Sequence, residues 1–359
     1  MKKREKKRVA IAGATGMVGR RFAELLTSHP WYEIAILGGY KSVGARYGEI
    51  WDHKEACLRE HYGEHFWTAR PCPEQLVDIQ VQPFDALLES KAIDIVFSAI
   101  SSNASHLERQ LLETGVTIFS NSPYGRFDEG IPLIVAEVNG DEVTDQQFIK
   151  NPNCVSSGLA MILAPIRAFY GLKEVSVVTF QSLTGKGDAK YSQDLVVGNI
   201  YSLHQSEEKT EEYIVKEIQK IFREEIPLSV SCNRVYVQEG HFVDVKVKTR
   251  RRIKSDDEVA ELLLAFNPLK DLLLPSSPAS PLLVIREAGR PRPRQDSLHS
   301  QGMAVAVGGI STKDKVFDLR LQYVVNNLVR GAAGGAILNS ERFMEKRYGI
   351  ISGGLSNPS

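Results

Sequence analysis

Residues 8–19, RVAIAGATGMVG, decide the fold class of this chain. The apolar run 8–12 predicts a short buried strand, and the glycine turn after it leads into a helix with one apolar side. A dinucleotide binds in this context of strand, glycine turn and helix, with its pyrophosphate at the helix N-terminus. The spacing is GxxGxxG rather than GxGxxG, so a glycine turn without a ligand remains the alternative. The residues expected to contact the dinucleotide are Gly13, Thr15, Gly16, Met17, Val18 and Gly19.

The second predicted strand, 33–37, indicates which dinucleotide this turn would bind. It runs into GGYKSVG (38–44), which lacks the Asp or Glu that usually binds the ribose 2′-hydroxyl of NAD. Lys41 and Ser42 suit a 2′-phosphate instead, which favours NADP. A merely solvated Lys41 is the other interpretation.

The following segments extend the sheet. Strands are predicted at 93–100 and 116–119, with a helix at 106–113 between them. This alternation indicates a doubly wound parallel α/β sheet, and the turns near Ser98 and Ser120 fall on its ligand-binding edge. Arg126 lies on a loop at the same edge, as an anion clamp or as a surface arginine. The polar and aromatic segment 51–75 is predicted to be a surface excursion.

Length and composition describe an ordinary globular protein of about two domains, with 359 residues, 43% hydrophobic and 25% charged residues and a formal net charge of zero. Because there is no basic excess, nucleic acid is not an expected partner. No apolar run approaches the length that spans a membrane. The basic residues 1–8 are expected to be a solvated lead-in rather than a signal peptide. The four cysteines form no CxxC pair, which indicates free thiols in a reducing cytoplasm and no metal site.

The stretch NPNCVSSGL, 151–159, places Cys154 between an irregular turn and a helix of apolar spacing. Ser156 or Ser157 is expected to cap this helix. Free backbone N–H groups and the helix dipole would favour the thiolate there, and so a nucleophile. A buried structural cysteine is the alternative.

A histidine later in the chain bears on that choice. Strands are predicted at 175–181, 234–237 and 241–247, the last two joined by a turn at 238–240. His241 shares a strand face with Val243, Val245 and Val247, as a satisfied core residue usually does. An inward imidazole beside an exposed thiol would instead activate that thiol.

Three other segments complete the second half of the chain. A helix at 207–222 carries Glu217 and Lys220 three residues apart, where an i,i+3 ion pair is the ordinary explanation. The Pro- and Arg-rich segment 275–297 is predicted to be an ordered excursion of interface character. Strands are predicted at 303–310 and 316–325, before a small-residue helix from Asn326 that can pack against the first domain.

Together these blocks resemble the aspartate-β-semialdehyde dehydrogenases, and most of all their archaeal and fungal branch. The resemblance rests, in chain order, on GATGMVGRRF, SNSPYGRF, IPLIVAEVN, NPNCVSSGL, TFQSLTGKG, KEIQKIF, RVYVQEGH, RPRPRQD and NNLVRGAAGGAILN. It implies an NADP-binding Rossmann domain at 1–153, completed by the C-terminal helix at 326–359. It also implies a catalytic and dimerisation domain at 154–325, like that of glyceraldehyde-3-phosphate dehydrogenase, in a cytoplasmic homodimer or homotetramer.

The resemblance assigns roles to individual residues. Cys154 would be the nucleophile, His241 the general acid/base, Gln181 the residue that orients the substrate, and Asn153 an oxyanion donor with the Cys154 N–H. Arg234 would bind the substrate α-carboxylate, Glu217 its ammonium group, and Arg126 and Lys220 the phosphate. The cofactor would also contact Ser98, Ser157, Gly158, Gly185 and Asn327, the last through the nicotinamide carboxamide.

The implied activity is the NADPH-dependent reductive dephosphorylation of L-4-aspartyl phosphate to L-aspartate 4-semialdehyde, in the biosynthesis of lysine, methionine, threonine and isoleucine. It would pass through an acyl-thioester on Cys154. The alternatives are relatives that act on N-acetylglutamyl phosphate or malonyl-CoA, and a non-catalytic NADP-binding protein. Glu217 and Arg234 favour a free amino acid. Gly39, Val155 and Tyr236 depart from the pattern of the family without removing a reacting group.

Overall fold

The computed structural model describes residues 6–104, 106–187 and 190–349, which form two β-sheets with helices packed on them. The strands of the first sheet are β1 (Lys7–Ala12), β2 (Tyr32–Gly39), β3 (Gln82–Pro83), β4 (Ile95–Ser98), β5 (Thr117–Ser120) and β6 (Phe148–Lys150). All are parallel and lie in the order β3-β2-β1-β4-β5-β6. The strand order reverses between β1 and β4, and a ligand crevice is expected at the carboxyl ends of these two strands. The predicted doubly wound sheet is confirmed.

Helices connect these strands. They are α1 (Met17–Thr27), α2 (Tyr47–Tyr62), α3 (Asp85–Glu89), α4 (Leu107–Glu113) and α5 (Ala136–Asn139). Short 3₁₀ turns lie at Gly63–His65, Glu74–Leu76, Ser102–Ala104 and Gly140–Glu142. The end of β1 is buried on both faces because helices cover the sheet on each side, which explains its continuous apolar run.

The second sheet has seven strands in mixed directions, in the order β11-β12-β13-β10-β7-β9-β8. These strands are β7 (Leu172–Gln181), β8 (Tyr201–Ser202), β9 (Leu228–Arg234), β10 (His241–Thr249), β11 (Leu282–Val284), β12 (Val305–Ser311) and β13 (Leu319–Val325). The helices of this half are α6 (Cys154–Tyr170), α7 (Gln193–Val196), α8 (Thr210–Phe222), α9 (Asp256–Leu264) and α10 (Pro293–Asp296). Further 3₁₀ turns lie at Leu183–Lys186 and His299–Gly302.

The C-terminal part of the described chain returns to the first sheet. A π-helix, Val329–Ala333, leads into α11 (Gly334–Tyr348). Ile337 and Phe343 of α11 join the core that contains Val9 and Ile11 of β1. The predicted helix therefore begins a few residues after Asn326. Residues 350–359 of the predicted C-terminal extension, and residues 1–5 of the lead-in, lie outside the described residues.

Two predictions about local structure are wrong. The segment 51–75 is not all surface, because α2 occupies its first half and Trp51 is buried in the first core. The strand predicted at 234–237 is also wrong, since β9 ends at Arg234. β9 and β10 do not pair with each other, because β7 lies between them in the sheet.

The described helices include none that is both long and apolar enough to cross a membrane.

Candidate active site

Cys154 is the first residue of α6. Asn153 caps this helix, and its Oδ1 accepts a hydrogen bond of 2.9 Å from the Val155 N–H. The expected cap at Ser156 or Ser157 is wrong because both residues lie inside the first turn, where Ser157 Oγ bonds back to the Asn153 carbonyl oxygen at 3.3 Å. The Asn153 cap holds the Cys154 side chain at the rim of the helix N-terminus.

His241 begins β10 and is fully buried beside this cysteine. Its Nε2 lies 2.9 Å from Cys154 Sγ. The ring is held from the other side by Ser182, whose N–H donates to Nδ1 at 3.0 Å and whose Oγ lies 3.1 Å from the same nitrogen. The structure therefore satisfies both interpretations of His241, which is a core residue of the strand face and a partner of the thiol.

The two groups of Ser182 support different tautomers of His241. The N–H of Ser182 favours a ring with its proton on Nε2, which then donates to Cys154 Sγ. The Ser182 hydroxyl donates to Asn327 Oδ1 at 3.0 Å and can accept from a protonated Nδ1, which leaves Nε2 free to accept the thiol proton. One ring can thus act as base and as acid.

The resting Cys154–His241 pair is neutral. Burial raises the pKa of Cys154 to about 11, although the positive charge of Arg234 opposes this. Burial also lowers the pKa of His241 well below its usual value, and Arg234 lowers it further. The expected thiolate is therefore wrong for the unliganded protein, because the loss of water around the sulfur outweighs the helix terminus.

Arg234 ends β9 next to this pair, and its guanidinium is buried. Nη1 donates to the Ser182 carbonyl oxygen and Nη2 to Glu208 Oε2, both at 3.0 Å. No partner among the described residues lies within hydrogen-bond distance of Nε. Arg234 can therefore accept a further anionic ligand on a buried donor.

Glu208 is a site residue that the sequence analysis missed. Its carboxylate contacts Arg234, Lys186 at 3.5 Å, Lys190 at 3.3 Å and the Tyr191 hydroxyl. Burial disfavours its ionised form, but Arg234, the Tyr191 hydrogen bond and Lys186 together lower its pKa to about 2. The run SEEK (206–209) carried no signal that separates Glu208 from Glu207.

Glu217 and Arg126 form a buried pair behind the cysteine. Glu217 Oε1 accepts from Arg126 Nη1 at 2.8 Å, and Oε2 accepts from the Asn153 N–H at 2.8 Å. Lys220 Nζ donates instead to the carbonyl oxygens of Arg126 and Asp128. The i,i+3 pair of Glu217 with Lys220 and the surface position of Arg126 are therefore both wrong, because the loop 121–128 folds over α8.

The other predicted residues of this half lie close by. Gln181 ends β7 beside Arg234 in the sheet register, and its Nε2 donates to Thr179 Oγ1 at 3.1 Å. Asn327 Oδ1 also accepts from the Gly240 N–H at 2.8 Å.

Two of the predicted glycines are close-packed. A side chain at Gly185 would lie 2.8 Å from the His241 ring, so the glycine lets its loop cover the Cys154–His241 pair. Gly158 packs instead towards Tyr323 of the core.

The dinucleotide turn lies at the carboxyl end of β1. Gly13 has a φ of +80°, and a Cβ there would lie 2.8 Å from the Ala99 carbonyl oxygen, while a Cβ at Gly19 would lie 2.1 Å from the Gly13 oxygen. Gly16 is the N-cap of α1 and supplies no side-chain cap, so backbone N–H groups there are available to a phosphate.

Two buried polar atoms face no partner within the described chain at this edge of the sheet, namely Ser98 Oγ and Asn121 Nδ2. Together with the close-packed glycines, they fit a bound dinucleotide that would be held by the predicted residues 13–19 and Ser98. Lys41 is exposed and Ser42 half-buried just after β2, where the ribose of such a ligand would lie.

Comparison with known proteins agrees with this arrangement. Residues 8–146 match the model of the semialdehyde dehydrogenase NAD binding domain, and residues 163–330 match that of the semialdehyde dehydrogenase dimerisation domain. The chain is 34% identical to the aspartate-semialdehyde dehydrogenase of Archaeoglobus fulgidus, over 94% of this chain and 98% of that protein. The chain belongs to the aspartate-semialdehyde dehydrogenase family.

Another member of the aspartate-semialdehyde dehydrogenase family and a related reductase also match this chain over nearly its whole length. The crystal structure of the Candida albicans aspartate semialdehyde dehydrogenase with NADP superposes with a TM-score of 0.80 at 26% identity, over 95% of this chain and 99% of that one. The malonyl CoA reductase (NADP) of Metallosphaera sedula is 31% identical over 95% of this chain and 98% of that protein. The chain is thus an NAD(P)-binding oxidoreductase of the semialdehyde dehydrogenase type, and its dimerisation domain indicates a homo-oligomer.

Gly331 is a second residue that sequence reasoning missed in this member of the aspartate-semialdehyde dehydrogenase family. A Cβ at this position would lie 2.5 Å from Cys154 Cβ. The glycine therefore lets the C-terminal π-helix approach Cys154. The run GAAGG (331–335) indicated close packing, but it did not show which residue this segment packs against.

Proposed function

We propose that the protein catalyses the NADPH-dependent reduction of L-4-aspartyl phosphate to L-aspartate 4-semialdehyde and phosphate, through an acyl-thioester on Cys154. The observation that carries the proposal is the 2.9 Å contact of Cys154 Sγ with His241 Nε2, with the buried Arg234 guanidinium beside it. Thiol, base and cation are the groups that this acyl transfer needs. The family relatives named aspartate-semialdehyde dehydrogenase support the choice of substrate.

The protein's own groups account for the transfer of the acyl group. The Cys154 thiol proton passes to His241 Nε2 as the sulfur attacks the acyl carbon. The sulfur–carbon bond forms, the bond from that carbon to the phosphate oxygen breaks, and phosphate leaves. The Cys154 N–H and the Asn153 side chain, both at the start of α6, are proposed to stabilise the oxyanion. When bound, NADPH supplies the hydride that reduces the thioester. His241 then returns a proton as the thiol is released.

Arg234 is proposed to bind the α-carboxylate, with its unpartnered Nε and its Nη2 as donors. Gln181, one strand away, is proposed to orient the substrate. Arg126 and Lys220 are proposed to bind phosphate. Glu217 is fully buried and both of its oxygens are engaged. Each oxygen can accept a second hydrogen bond, so Glu217 can bind the substrate ammonium group once the groups that bury it move aside.

NADP is the proposed form of the cofactor. β2 is followed by Lys41 and Ser42, without an acidic residue to bind a free ribose 2′-hydroxyl. Asn327 is proposed to bind the nicotinamide carboxamide. Its side chain would then exchange its hydrogen bonds to Ser182, Thr184 or Gly240 for bonds to the cofactor. Ser157, Gly158 and Gly185 are also proposed to contact the cofactor.

Malonyl-CoA is the second candidate substrate. The Metallosphaera reductase is 31% identical to this chain. The cations Lys186, Lys190 and Arg234 surround the single carboxylate of Glu208, which leaves an excess of positive charge. Such an excess suits an acyl group with a carboxylate and no ammonium group.

Reverse-direction assays separate these candidates. The purified protein is given L-aspartate semialdehyde, phosphate and NADP, and the formation of reduced nicotinamide is followed, with NAD in a parallel set. Phosphate-dependent reduction of NADP supports the proposal. Silence with this aldehyde, together with turnover of malonate semialdehyde plus CoA or of N-acetylglutamate semialdehyde plus phosphate, would assign the same Cys154 chemistry to another acyl group.

A further inference from the structure

Residues 235–240 form a turn that connects β9 to β10 and ends immediately before His241. Because β7 lies between β9 and β10, this turn crosses the end of β7 and belongs to no strand ladder. On the side of the catalytic sheet, its main chain is held by hydrogen bonds from the Leu183 N–H to the Val237 oxygen at 2.9 Å and from Thr184 Oγ1 to the Gln238 oxygen at 2.5 Å. The Val235 N–H donates to the Gln181 oxygen at 3.1 Å, and the Gly240 N–H donates to Asn327 Oδ1. The side chains of the 235–240 turn add a second set of contacts on its other side.

These contacts are with the segment 61–70, which follows α2 in the first half of the chain. The Tyr236 hydroxyl donates to the His61 carbonyl oxygen at 2.8 Å. The Gln238 side-chain amide both accepts from and donates to the main chain of the 61–70 segment, as a backbone peptide group would. Its Oε1 accepts from the N–H groups of Trp67 and Thr68 at 2.9 and 3.3 Å, and its Nε2 donates to the Thr68 oxygen at 3.1 Å. The 61–70 segment therefore binds the turn through two of its side chains, Tyr236 and Gln238.

The third side-chain contact is a buried ion pair. Arg70 Nη2 lies 2.9 Å from Glu239 Oε1, and the Glu239 side chain is only 1% exposed. The same oxygen accepts from Asn326 Nδ2 at 2.6 Å, next to Asn327. Because Glu239 is almost fully removed from water, loss of Arg70 would leave its carboxylate without an ion-pair partner and move the turn. Loss of the Glu239 charge would release the turn from Arg70.

Arg70 also faces away from the turn, towards α1. Its Nη1 lies 3.3 Å from Glu24 Oε1, and its N–H donates to Glu55 Oε2 at 3.4 Å. Glu55 in turn pairs with Arg20 of α1 at 2.7 Å. The residues that hold the 235–240 turn are thus anchored on the helix that begins at the dinucleotide turn.

We propose that Arg70 and Glu239 are positioning residues that, with the 61–70 segment, hold His241 Nε2 against Cys154 Sγ. Neither residue touches the reacting sulfur. Their effect is carried by the 235–240 turn and its bond to Asn327. This role needs only the Cys154–His241 pair and is independent of which acyl group the enzyme accepts.

The test uses Arg70→Met, Arg70→Lys and the isosteric Glu239→Gln in the full chain. Arg46→Met is the matched control, because it breaks an exposed arginine–carboxylate pair with Asp78 in the same part of the chain. The first readout is the rate at which iodoacetamide alkylates Cys154 between pH 5.5 and 9, measured by peptide mass spectrometry, with His241→Ala as the reference for a thiol without its base. The second is the split between kcat and KM.

Arg70→Met and Glu239→Gln are expected to lower kcat about tenfold or more, because general-base assistance is lost. The KM for the acyl substrate should stay within about threefold of wild type, since Arg234 makes no contact with Arg70 or Glu239. The alkylation profile should move towards that of His241→Ala, while Arg70→Lys recovers part of the loss. Arg46→Met should match wild type.

Unchanged kcat and alkylation profiles in Arg70→Met and Glu239→Gln, or a loss confined to thermal stability, would overturn the proposal. If Arg70→Met does not fold, Glu239→Gln decides alone, because its shape is conserved. A double variant provides a further check: Arg70→Met should cost little in kcat once Glu239→Gln is present, and full additivity would contradict a shared role. Because alkylation requires no substrate, failure here is distinct from failure of the proposed reaction.

Discussion

At the scale of single residues, Cys154, the proposed nucleophile, is a neutral thiol in the unliganded protein. With a pKa of about 11, about one thiol in ten thousand is ionised at pH 7. The adjacent His241 ring is neutral at this pH and 2.9 Å away, so it can take the proton when an acyl group arrives. The resting protein therefore holds a neutral thiol beside a neutral imidazole, which can accept the thiol proton in the tautomer with its own proton on Nδ1.

Replacement of Cys154 by serine is expected to abolish turnover, with a loss of about 10⁴-fold or more, because the weaker nucleophile leaves no route to the thioester. NADP binding, followed by quenching of tryptophan fluorescence, should change little. Cys57→Ser is the control, since Cys57 lies on α2 among groups that take no part in the proposed reaction. Residual activity of Cys154→Ser near the wild-type level would exclude a mechanism that depends on the Cys154 thiol.

Burial of His241 also makes stability depend on pH. The folded ring stays neutral, whereas the unfolded ring binds a proton near pH 6.5, so the unfolded state gains protons as the pH falls. From pH 7.5 to 5.5, this residue alone should lower the free energy of unfolding by about 1.4 kcal/mol. Urea unfolding of wild type and His241→Gln at both pH values measures the difference. Equal pH dependence in the two proteins would show that the ring is not the cause.

At the scale of elements, α6 and the π-helix Val329–Ala333 meet at Cys154. Gly331→Ala would place a methyl group 2.5 Å from Cys154 Cβ, closer than carbon atoms can approach. One of the two helix starts must move, and we expect kcat to fall about tenfold or more, since a misplacement of about 1 Å can cost 100-fold. Steady-state kinetics and thermal unfolding together test this. Wild-type kcat in Gly331→Ala would mean that the π-helix yields without moving Cys154.

At the scale of the whole molecule, a buried ion pair ties the two halves of the chain together. Arg330 of the π-helix binds both oxygens of Glu137 on α5, at 2.5 and 3.1 Å, and its Nε donates to the Met303 oxygen. Asn339 of α11 bonds to Asn151 at 3.0 Å, just before the nucleophile. These contacts hold the π-helix and α11 against α5 and the segment before α6.

Glu137→Ala would leave the Arg330 guanidinium buried and unpaired. We expect a loss of about 3–5 kcal/mol in the free energy of unfolding, because the charge no longer has a partner to offset its desolvation. Urea titration by circular dichroism measures it. Glu212→Ala is the control, since it removes the same side chain from an exposed pair with Lys216 and should leave the midpoint unchanged. Similar midpoints for both variants would contradict the role given to this pair.

Local patterns in the sequence were sufficient for the nucleotide-binding half. The buried strand, close-packed glycines and amphipathic helix at 8–27 act within one βαβ unit, so their spacing alone predicted the sheet that is observed. The same holds for Cys154 at a helix start and His241 on an inward strand face. The domain boundaries and the individual substrate and cofactor roles remain predictions, because spacing along the chain does not show what a side chain contacts.

Only the tertiary structure decided which groups meet around the nucleophile. It paired Glu217 with Arg126 instead of Lys220, placed Glu208 on Arg234, and brought Arg70 to Glu239 across 169 residues of chain. It also kept the thiol neutral, since the charge state of Cys154 depends on how much water the surrounding segments remove. Periodicity determines which face of an element is buried. Partners far apart in the chain and the degree of desolvation are set only when the elements pack.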